Sequence, residues 1–431
     1  MVLSRYPSSM TGSEALDTLN RGFVHTIKDP LWGNIPVTGG LRNLIATDEV
    51  EKLSGIKQNG PAFHIYPGAV HTRLGHSLGV YYLGREILLS LARKKRELPF
   101  TAEGMMSFLS ACILHDIGHF PYAHSLKELA IKEHEEIAAE LILGGKELGD
   151  AVEAAVGNRM RTALIIADGR VCDDPETLIY RRILSGTLDP DKLDYLTRDA
   201  FFAGIPYGKQ DTDFIISSMD IEDGRIVLDH EAISSVEQVL FSKYMMYRAL
   251  YWHKGVRSLT AMIKKAVVSA LKDGVITYDD LYLKDDYDFY NLSRKHPDYP
   301  PFTLIALAEK GRAYPRKAAK PFDENGVLER RALDIMKRSD VEDEIWSMLK
   351  ERHPSLQRHE VIIDIPERIS FETDIGIRME DGRIIEASDA GMLFPKAGTL
   401  FSSSLRTVSL FLPQYIPAED AAAAFRMADH E

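Results

Sequence analysis

The chain has 431 residues, of which 45% are hydrophobic, and a formal net charge of −12. This length suffices for one large domain and a smaller second one. The negative charge argues against a bulk nucleic-acid or acidic-lipid surface, although a local basic pocket for one anion stays open.

The cysteines and the apolar runs indicate the compartment. The chain has two cysteines, Cys112 and Cys172, without the spacing of a zinc finger, which argues against a disulfide framework and favours a reducing environment. No apolar run approaches about 18 residues, and the first residues lack the pattern of a signal peptide. We therefore expect a cytoplasmic protein without a membrane segment.

Apolar residues recur at helical spacing along the first two thirds of the chain and predict mainly α structure. Thr101 is the expected N-cap of a nearly all-apolar helix, and Asp189-Pro190 is a typical helix start of the cap-then-proline kind. The last of these segments is expected to form one or two long helices, kinked if at all near Gly255. The predicted helices cover residues 74–91, 105–114, 127–143, 191–200 and 233–271.

Two Asp-Gly pairs, Asp223-Gly224 and Asp381-Gly382, predict β-hairpins. Three prolines gather in residues 295–303, where we place a soft boundary. Beyond this boundary the sequence predicts one charged helix, three strands and a terminal helix, over residues 327–352, 360–365, 375–378, 408–412 and 418–431.

A histidine and an aspartate, His115 and Asp116, stand side by side at the end of the apolar helix. Burying such groups is costly unless a partner compensates, and a metal ion is one such partner. Adjacent helical residues point about 100° apart, so both reach one ion only at a helix end or with ligands from neighbouring helices. Further candidates for the site are His76, His119, His124, His134 and Asp191.

Imidazole and carboxylate donors together suit one divalent ion, which we expect to be iron, manganese, nickel, zinc or magnesium. Each residue alone has an ordinary structural explanation, because a buried histidine is commonly a satisfied core group and Asp191 is a first-turn acid. The joint occurrence beside apolar helices favours a metal site over a purely structural set.

Several segments resemble the HD-domain phosphohydrolase superfamily, and within it the deoxynucleoside triphosphate triphosphohydrolase (dNTPase) branch that includes the SAM-and-HD-domain enzymes. The resemblance covers about residues 29–271, and we expect no SAM domain in this chain. The segments are Tyr66-Pro67-Gly68-Ala69, Arg73-Leu74-Gly75-His76-Ser77-Leu78-Gly79-Val80, His115-Asp116-Ile117-Gly118-His119-Phe120-Pro121-Tyr122-Ala123-His124, Glu133-His134-Glu135 and Asp191-Lys192-Leu193-Asp194-Tyr195-Leu196-Thr197-Arg198-Asp199.

The resemblance implies a mainly α fold, an HD-domain helical bundle with a β-hairpin and a smaller α+β C-terminal region. The HD phosphohydrolase domain is then expected over residues 1–294, with its metal core at about 66–200 and further helices to about 271. Residues 295–431 form the C-terminal region, which we expect to serve oligomerisation because relatives are commonly oligomeric.

The resemblance also implies a role for single residues. One divalent metal ion is held by His76, His115, Asp116 and Asp191, and the acid–base histidines are His119, His124 and His134. Arg73 contacts the α-phosphate, Lys192 the outer phosphates, and Tyr195 and Asp199 the sugar, with Lys243 at a position where the family commonly has arginine. The expected substrate contacts are Gln58, Arg73, Lys192, Tyr195, Asp199, Lys243, Tyr251 and His253.

One departure concerns Lys127, which stands where relatives usually have an acidic residue that orients the histidine matching His124. Glu128, Glu133 or Glu135 then supplies the carboxylate, or the acid–base relay is weakened. Three functions follow: hydrolysis of dNTPs to deoxynucleoside and triphosphate, hydrolysis of another nucleotide such as a monophosphate or a signalling nucleotide, or nucleotide sensing with little turnover. The first is favoured by the residues expected at the sugar and the phosphates.

Overall fold

The computed structural model describes residues 9–129, 132–369, 371, 375–392 and 405–430, without the side chain of residue 124. An N-terminal layer of short elements precedes the long helices. Its strands and helices are β1 (Met10–Thr11), α1 (Gly12–Asn20), β2 (His25–Asp29), β3 (Gly33–Val37), α2 (Gly39–Ile45), α3 (Asp48–Glu51) and two 3-10 helices, Lys52–Gly55 and Gly60–His64.

A bundle of helices follows and holds most of the candidate site residues. Side chains cap five of its helices, as Thr72, Thr101, Asn158, Asp174 and Asp189 accept hydrogen bonds from the backbone N–H groups three residues further on. The elements are α4 (Arg73–Lys94), β4 (Glu97–Leu98), α5 (Ala102–Leu114), a 3-10 helix (Ala123–Leu126), α6 (His134–Gly144), α7 (Lys146–Val156), α8 (Arg159–Ile166), α9 (Pro175–Leu184) and α10 (Pro190–Ala203).

Helices α4 and α10 lie unusually close, and a glycine makes this possible. A Cβ atom added to Gly79 of α4 would lie 1.8 Å from Oδ1 of Asp194 on α10, so only glycine fits this crossing. Fully buried Tyr81, Phe108 and Leu193 fill the core around these helices. The polar first turns of α4 and α10 thereby meet beside the end of α5.

The middle of the chain joins two helices to a small sheet. Strands β5 and β6 pair antiparallel through the turn at Asp223-Gly224, as the sequence predicted. The elements are α11 (Thr212–Ser218), β5 (Met219–Glu222), β6 (Arg225–Asp229), a 3-10 helix (His230–Ala232), α12 (Ile233–Met246), a π-helical turn (Tyr247–Tyr251), α13 (Lys254–Lys272), a 3-10 helix (Tyr278–Asp280) and α14 (Asp286–Arg294).

The last third of the described chain adds an α+β part. Its elements are a 3-10 helix (Pro300–Phe302), α15 (Thr303–Glu309), β7 (Arg316–Pro321), α16 (Val327–Ala332), α17 (Arg338–Lys350), a 3-10 helix (Arg358–Glu360), β8 (Ile362–Asp364), β9 (Gly376–Arg378), β10 (Ile384–Glu386), β11 (Thr407–Phe411) and α18 (Ala418–His430).

Two sheets organise this part. Strand β11 lies between β7 and β8 and pairs antiparallel with each of them. Strands β9 and β10 form the hairpin predicted at Asp381-Gly382, and β9 pairs in parallel with β6. Strands from both sides of position 295 therefore share one four-stranded sheet, and a second apolar core likewise combines Phe120 and Leu126 with Phe302 and Ile305.

The predicted mainly α architecture with small β elements is confirmed, and two helix predictions need correction. The helix predicted over 127–143 begins at His134, because a 3-10 turn and then Glu133, with extended backbone, precede it. The segment 327–352 forms two helices, α16 and α17. The segment 233–271 forms two long helices, one of the two expected forms, which are separated by the π-helical turn and Trp252-His253 close to Gly255.

None of the described helices combines the length and apolar character that crossing a membrane requires.

Candidate active site

Three predicted metal ligands converge where the first turn of α4 meets the end of α5. Donor atoms of His76, His115 and Asp116 all lie within 4.8 Å of one another. Each of these residues is at least nine-tenths buried. His115 follows the last residue of α5, and its Nδ1 lies 3.0 Å from the carbonyl oxygen of Cys112, which leaves Nε2 facing the cluster. The chain leaves the helix there, and His115 and Asp116 consequently both reach one point.

Helix α10 brings two aspartates to the same histidine. Oδ1 of Asp191, in the first turn of this helix, lies 3.0 Å from Nε2 of His76. Oδ2 of Asp194, one turn further, lies 2.8 Å from Nδ1 of His76. Asp194 is held in turn by Arg198 and by the indole of Trp32. A carboxylate behind a histidine fixes the orientation and the tautomer of the ring, as is typical of metal-binding histidines.

The electrostatics of the cluster favour an added cation. Burial alone would lower the pKa of His76, but the hydrogen bonds and charges of Asp191 and Asp194 outweigh it and raise this pKa to about 10. Burial would raise the pKa of Asp116, but His115, His119 and Arg73 hold it well below its usual range. Ionised carboxylates thus surround imidazole nitrogens in a buried space.

The donor set fits a divalent metal ion. Nε2 of His115 is buried and forms no hydrogen bond with any described residue. This nitrogen lies 3.4 Å from Oδ1 of Asp116. The centroids of the His115 and His76 rings are 5.3 Å apart. A buried nitrogen without a hydrogen bond is costly, and coordination of a cation would satisfy it. Mixed nitrogen and oxygen donors are compatible with several metals.

A second pair of histidines lies beside Asp116. The rings of His119 and His134 stack with centroids 3.8 Å apart, and Nε2 of His119 lies 3.2 Å from Oδ1 of Asp116. Gly118 permits this contact, because a Cβ atom there would lie 2.0 Å from the carbonyl oxygen of His134. Asp116, His119 and His134 also form a group whose donor atoms lie within 4.8 Å of one another.

His134 begins α6 and is nearly buried. Burial and the neighbouring His119 hold the pKa of His134 well below its ordinary value, so its ring is neutral near pH 7. Nδ1 of His134 lies 3.1 Å from a carboxylate oxygen of Glu135, whose own pKa burial raises. Of the three carboxylates considered for the relay, Glu135 is therefore the one that contacts a site histidine.

The other two carboxylates have cationic partners, although an oxygen of Glu133 also lies within 4.8 Å of donor atoms of His134 and Glu135. Glu128 pairs with Lys264 and, at 2.9 Å, with Arg338. Glu133 lies 3.5 Å from Lys127, and both side chains are about half exposed or more. The side chain of His124 is outside the described part of the chain, so its contact with any of these residues stays untested.

The sugar-side candidates lie around a buried carboxylate. Asp199 accepts a hydrogen bond of 2.5 Å from the hydroxyl of Tyr251, and its other oxygen lies 2.8 Å from Nε2 of His71. Tyr195 stands one turn before Asp199 on α10 and faces the same cavity, as does Gln58. His71 was missed by the sequence analysis, although it lies between two matching segments, two residues before Arg73.

The cationic candidates divide into two groups. Arg73 is buried and donates to Oδ2 of Asp116 at 2.7 Å, and Lys192 contacts Asp189 at 2.7 Å; both line the cavity. Nζ of Lys243 lies over the ring of Phe371, 5.7 Å from its centroid. Nδ1 of His253 accepts a hydrogen bond from the N–H of Gly255 at the start of α13. Neither of these two is among the residues that line the cavity.

One cavity of about 750 Å³ joins the metal cluster to the sugar-side residues and to Arg73 and Lys192. That volume is in the range of small-molecule sites. Lining residues that the sequence analysis did not single out come from the turn before α9, from the π-helical turn, from α13 and from the segment after β8; they include Asp168, Tyr247, Arg257, Glu367 and Arg368. Their distance along the chain from the HD motif explains why no local signal pointed to them.

Comparisons with known proteins agree with this geometry. Residues 73–184 match the family described as HD domain, and residues 210–390 match the family described as HD associated region. The first match contains His76, His115 and Asp116, and the second contains the segment after β8. The chain therefore combines an HD domain with an HD associated region, and it belongs to the HD-domain phosphohydrolase superfamily.

Individual relatives place it more closely. The chain is 30% identical over 263 residues to the uncharacterized protein YwfO of Bacillus subtilis, covering 60% of this chain and 57% of that protein. It is 24% identical over 279 residues to the Dictyostelium discoideum homolog of the deoxynucleoside triphosphate triphosphohydrolase SAMHD1, covering 62% of this chain and 53% of that protein. The chain thus spans little more than half the length of these relatives.

A solved structure supports the fold. The crystal structure of a phosphohydrolase from Bacteroides thetaiotaomicron superimposes with a TM-score of 0.70 at 22% identity, covering 90% of this chain and all of that one. At this identity the likeness shows the fold alone. The helical bundle and the C-terminal part are both included in the superposition.

Proposed function

We propose that the chain is a metal-dependent hydrolase that cleaves dNTPs to deoxynucleoside and intact triphosphate. The observation that carries this proposal is the single cavity in which a histidine–aspartate cluster fit for a cation adjoins the Asp199–Tyr251 pair. The alignment with relatives named as dNTP triphosphohydrolases supports the same reaction. Assembly into a homo-oligomer, which the family resemblance implies, stays a prediction.

In this proposal His76, His115, Asp116 and Asp191 hold one divalent ion. Such an ion, when bound, polarises a phosphorus–oxygen bond and makes hydroxide available near neutral pH. The chain's own contribution is to fix the donors: Asp194 orients His76, and the backbone of α5 orients His115. Arg73 lies against Asp116, where its guanidinium can also reach a phosphate oxygen.

Proton transfer is assigned to the stacked histidines. If Nδ1–H of His134 donates to Glu135, Nε2 is the basic nitrogen and can accept a proton from attacking water. Attack at the α-phosphorus breaks its bond to the 5′ oxygen, and that oxygen then takes a proton as the deoxynucleoside leaves. His119, stacked on His134, is the second candidate to move this proton.

The deoxyribose is assigned to Tyr195, Asp199 and Tyr251. A carboxylate retains acceptor capacity after two hydrogen bonds, so Asp199 can still accept one from the 3′ hydroxyl. Lys192, at the start of the same helix, lies within the cavity and supplies charge for the outer phosphates.

A second candidate function is hydrolysis of another nucleotide, such as a monophosphate or a signalling nucleotide. It is favoured by one observation: both oxygens of Asp199 already have partners, Tyr251 and His71, within the protein. A substrate without a 3′ hydroxyl contact would leave these hydrogen bonds unchanged.

Product analysis separates the two functions. The protein is loaded in turn with Mn²⁺, Fe²⁺, Ni²⁺, Zn²⁺ or Mg²⁺ and incubated with each of the four dNTPs, and the products are resolved by ion-exchange chromatography. Deoxynucleoside together with intact triphosphate supports the first function. Release of orthophosphate, or no turnover of any dNTP alongside hydrolysis of a nucleoside monophosphate, contradicts it and supports the second.

A further inference from the structure

A segment of the HD associated region lines the same cavity as the metal ligands. Residues 365–369 follow strand β8, and two of them, Glu367 and Arg368, line the cavity together with Arg257 of α13. These residues are more than 100 positions away from the HD motif in the sequence. The cavity is thus bounded by both parts of the chain.

Buried ion pairs fix the start of this segment. Nε and Nη2 of Arg257 donate to the two oxygens of Asp364, the last residue of β8, at 2.9 and 2.6 Å. Nη1 of Arg257 and Nζ of Lys264 each lie 3.6 Å from one oxygen of Glu367. Arg257 and Lys264 are both buried, so the segment is tied to α13 by the forked contact of Arg257 with Asp364 and by the two contacts of Arg257 and Lys264 with Glu367.

The cations that line the cavity differ in whether a carboxylate already neutralises them. Lys57 pairs with Asp286, Arg73 with Asp116, Lys127 with Glu133, Lys192 with Asp189, and Arg257 with Asp364. Arg368 is exposed and, among the residues that the structure describes, has no carboxylate partner. Within the described part of the chain, its guanidinium is therefore the lining cation that no carboxylate neutralises.

The balance of charges in the cavity bears on the role of Arg368 in binding an anionic ligand. The lining carries six lysine and arginine side chains against seven carboxylates, so it has no net positive charge of its own. A nucleoside triphosphate brings several negative charges, which one divalent ion only partly offsets. A cation without an internal partner is consequently the group best able to bind a phosphate tail.

The position of Arg368 agrees with this use. Tyr247, in the π-helical turn, lies in the same cavity, and burial raises its pKa to about 12 with a further rise from the charge of Glu367 and an opposing effect of Lys192. The segment of Glu367 and Arg368 and the first turn of α10 thus line the same cavity as this tyrosine.

We propose that Arg368 binds the terminal phosphate groups of the nucleotide, in the cavity that Lys192 also lines. This inference rests on the proposed function for the identity of the substrate, but its binding test does not depend on turnover. Glu367 acts as a positioning residue, because its carboxylate is held by Arg257 and Lys264 and so orients the next residue toward the cavity. The HD associated region would then contribute directly to substrate selection by phosphate number.

The test compares Arg368→Ala and Arg368→Lys with the matched control Arg426→Ala. Arg426 is an exposed arginine of α18 and is not among the residues that line the cavity. Binding of inorganic triphosphate to the full chain is measured by isothermal titration calorimetry, and steady-state kinetics are measured with a dNTP, the matching dNDP and the matching dNMP. Circular dichroism and thermal unfolding check that each variant folds.

We expect Arg368→Ala to weaken triphosphate binding about tenfold and to raise KM for the dNTP by a similar factor, with kcat nearly unchanged. Arg368→Lys should recover part of the loss, since it keeps the charge but not the fork. The effect should shrink for the dNDP and vanish for the dNMP. The control should match the unaltered protein throughout.

The outcomes separate the two proposals. Unchanged triphosphate affinity in a folded Arg368→Ala variant overturns this inference, and so does an absence of triphosphate binding by the unaltered protein. If the unaltered protein binds triphosphate through Arg368 but releases none from any dNTP, the proposed function fails while the phosphate subsite stands.

Discussion

Two clusters of side chains in this molecule both contain aspartates but differ in the groups that pair with them. In the sheet of β5, β6, β9 and β10, Arg378 meets Asp229 at 2.8 Å and Asp220 at 2.7 Å, and it also contacts Glu222. In the cavity, Asp116 and Asp191 face the imidazoles of His76 and His115.

The difference lies in what completes each cluster. The guanidinium of Arg378 donates to every carboxylate around it, so this cluster is complete within the protein. In the cavity cluster, Arg73 is the cation paired with Asp116, and a buried nitrogen of His115 has no hydrogen bond with the described residues. Acids paired with arginine stabilise a sheet, whereas acids beside imidazole nitrogens offer donors to a metal ion.

The strongest way to break this comparison is to remove a predicted ligand. We expect Asp191→Ala to abolish bound metal and hydrolysis together, because the remaining donors cannot complete the coordination. Metal content measured by mass spectrometry and dNTP turnover test this. The control is Asp213→Ala, an exposed first-turn acid of α11, which should change neither. Full metal content in folded Asp191→Ala would show that Asp191 is not a ligand.

The next effect separates metal binding from proton transfer. We expect His134→Gln to lower kcat by about 10²- to 10⁴-fold with the metal retained, since the ring acts as acid or base rather than as a ligand. His353→Gln, which removes a histidine paired with Asp420 far from the cavity, is the control. If metal content falls in parallel with activity, His134 belongs to the ligand set.

A smaller loss of metal affinity is expected when a residue that orients a ligand is changed. Asp194→Asn keeps the shape of the side chain but weakens its hold on Nδ1 of His76, and we expect metal affinity to fall about 10- to 100-fold. Asp220→Asn makes the same change in the Arg378 cluster and should leave metal affinity unaltered. Competition with a metal chelator measures both. Equal affinities in the two variants would argue against the assigned support of His76.

The smallest effect concerns stability in the Arg378 cluster. Burial would raise the pKa of Asp220, but hydrogen bonds from Lys95 and Arg378 outweigh it and lower this pKa. A lowered pKa in the folded state contributes stability above the unfolded pKa of about 3.9, and this stability is lost as the pH falls through the folded value.

Asp220→Asn should therefore lower the free energy of unfolding by about 1–2 kcal/mol at pH 7. The difference from the unaltered protein should shrink as the pH falls below about 4. Urea unfolding at several pH values tests this. A gap that stays constant down to pH 2 would show that charge is not its origin.

The site could be predicted from the sequence to the extent that it is local. His115 and Asp116 end an apolar helix, and Asp191 follows a clear helix start, so residue type and position pointed to a cavity cluster that the structure assembles. His71 and Glu367 gave no such signal, because each depends on a contact with a distant residue, Asp199 and Arg257.

The fold follows the same division. The caps at Thr101 and Asp189 and the two Asp-Gly turns are encoded by neighbouring residues, and these predictions are confirmed. The break between α12 and α13 lies at Trp252-His253, close to Gly255, where the sequence allowed a kink, but the π-helical turn before it has no local signal. At the late start of α6, His134 stacks on His119, a contact that the helical pattern of 127–143 does not reveal.

The parallel pairing of β6 with β9 has a practical consequence for dissecting this protein. A chain truncated after residue 294 would keep β5 and β6 but lose the neighbour that pairs with Val227, Leu228 and Asp229. The exposed edge would present unpaired N–H and C=O groups beside buried apolar side chains, a surface that recruits other strands. Shortened versions of this chain are thus expected to self-associate through that edge, and deletions that spare β9 and β10 are the safer route to a minimal catalytic unit.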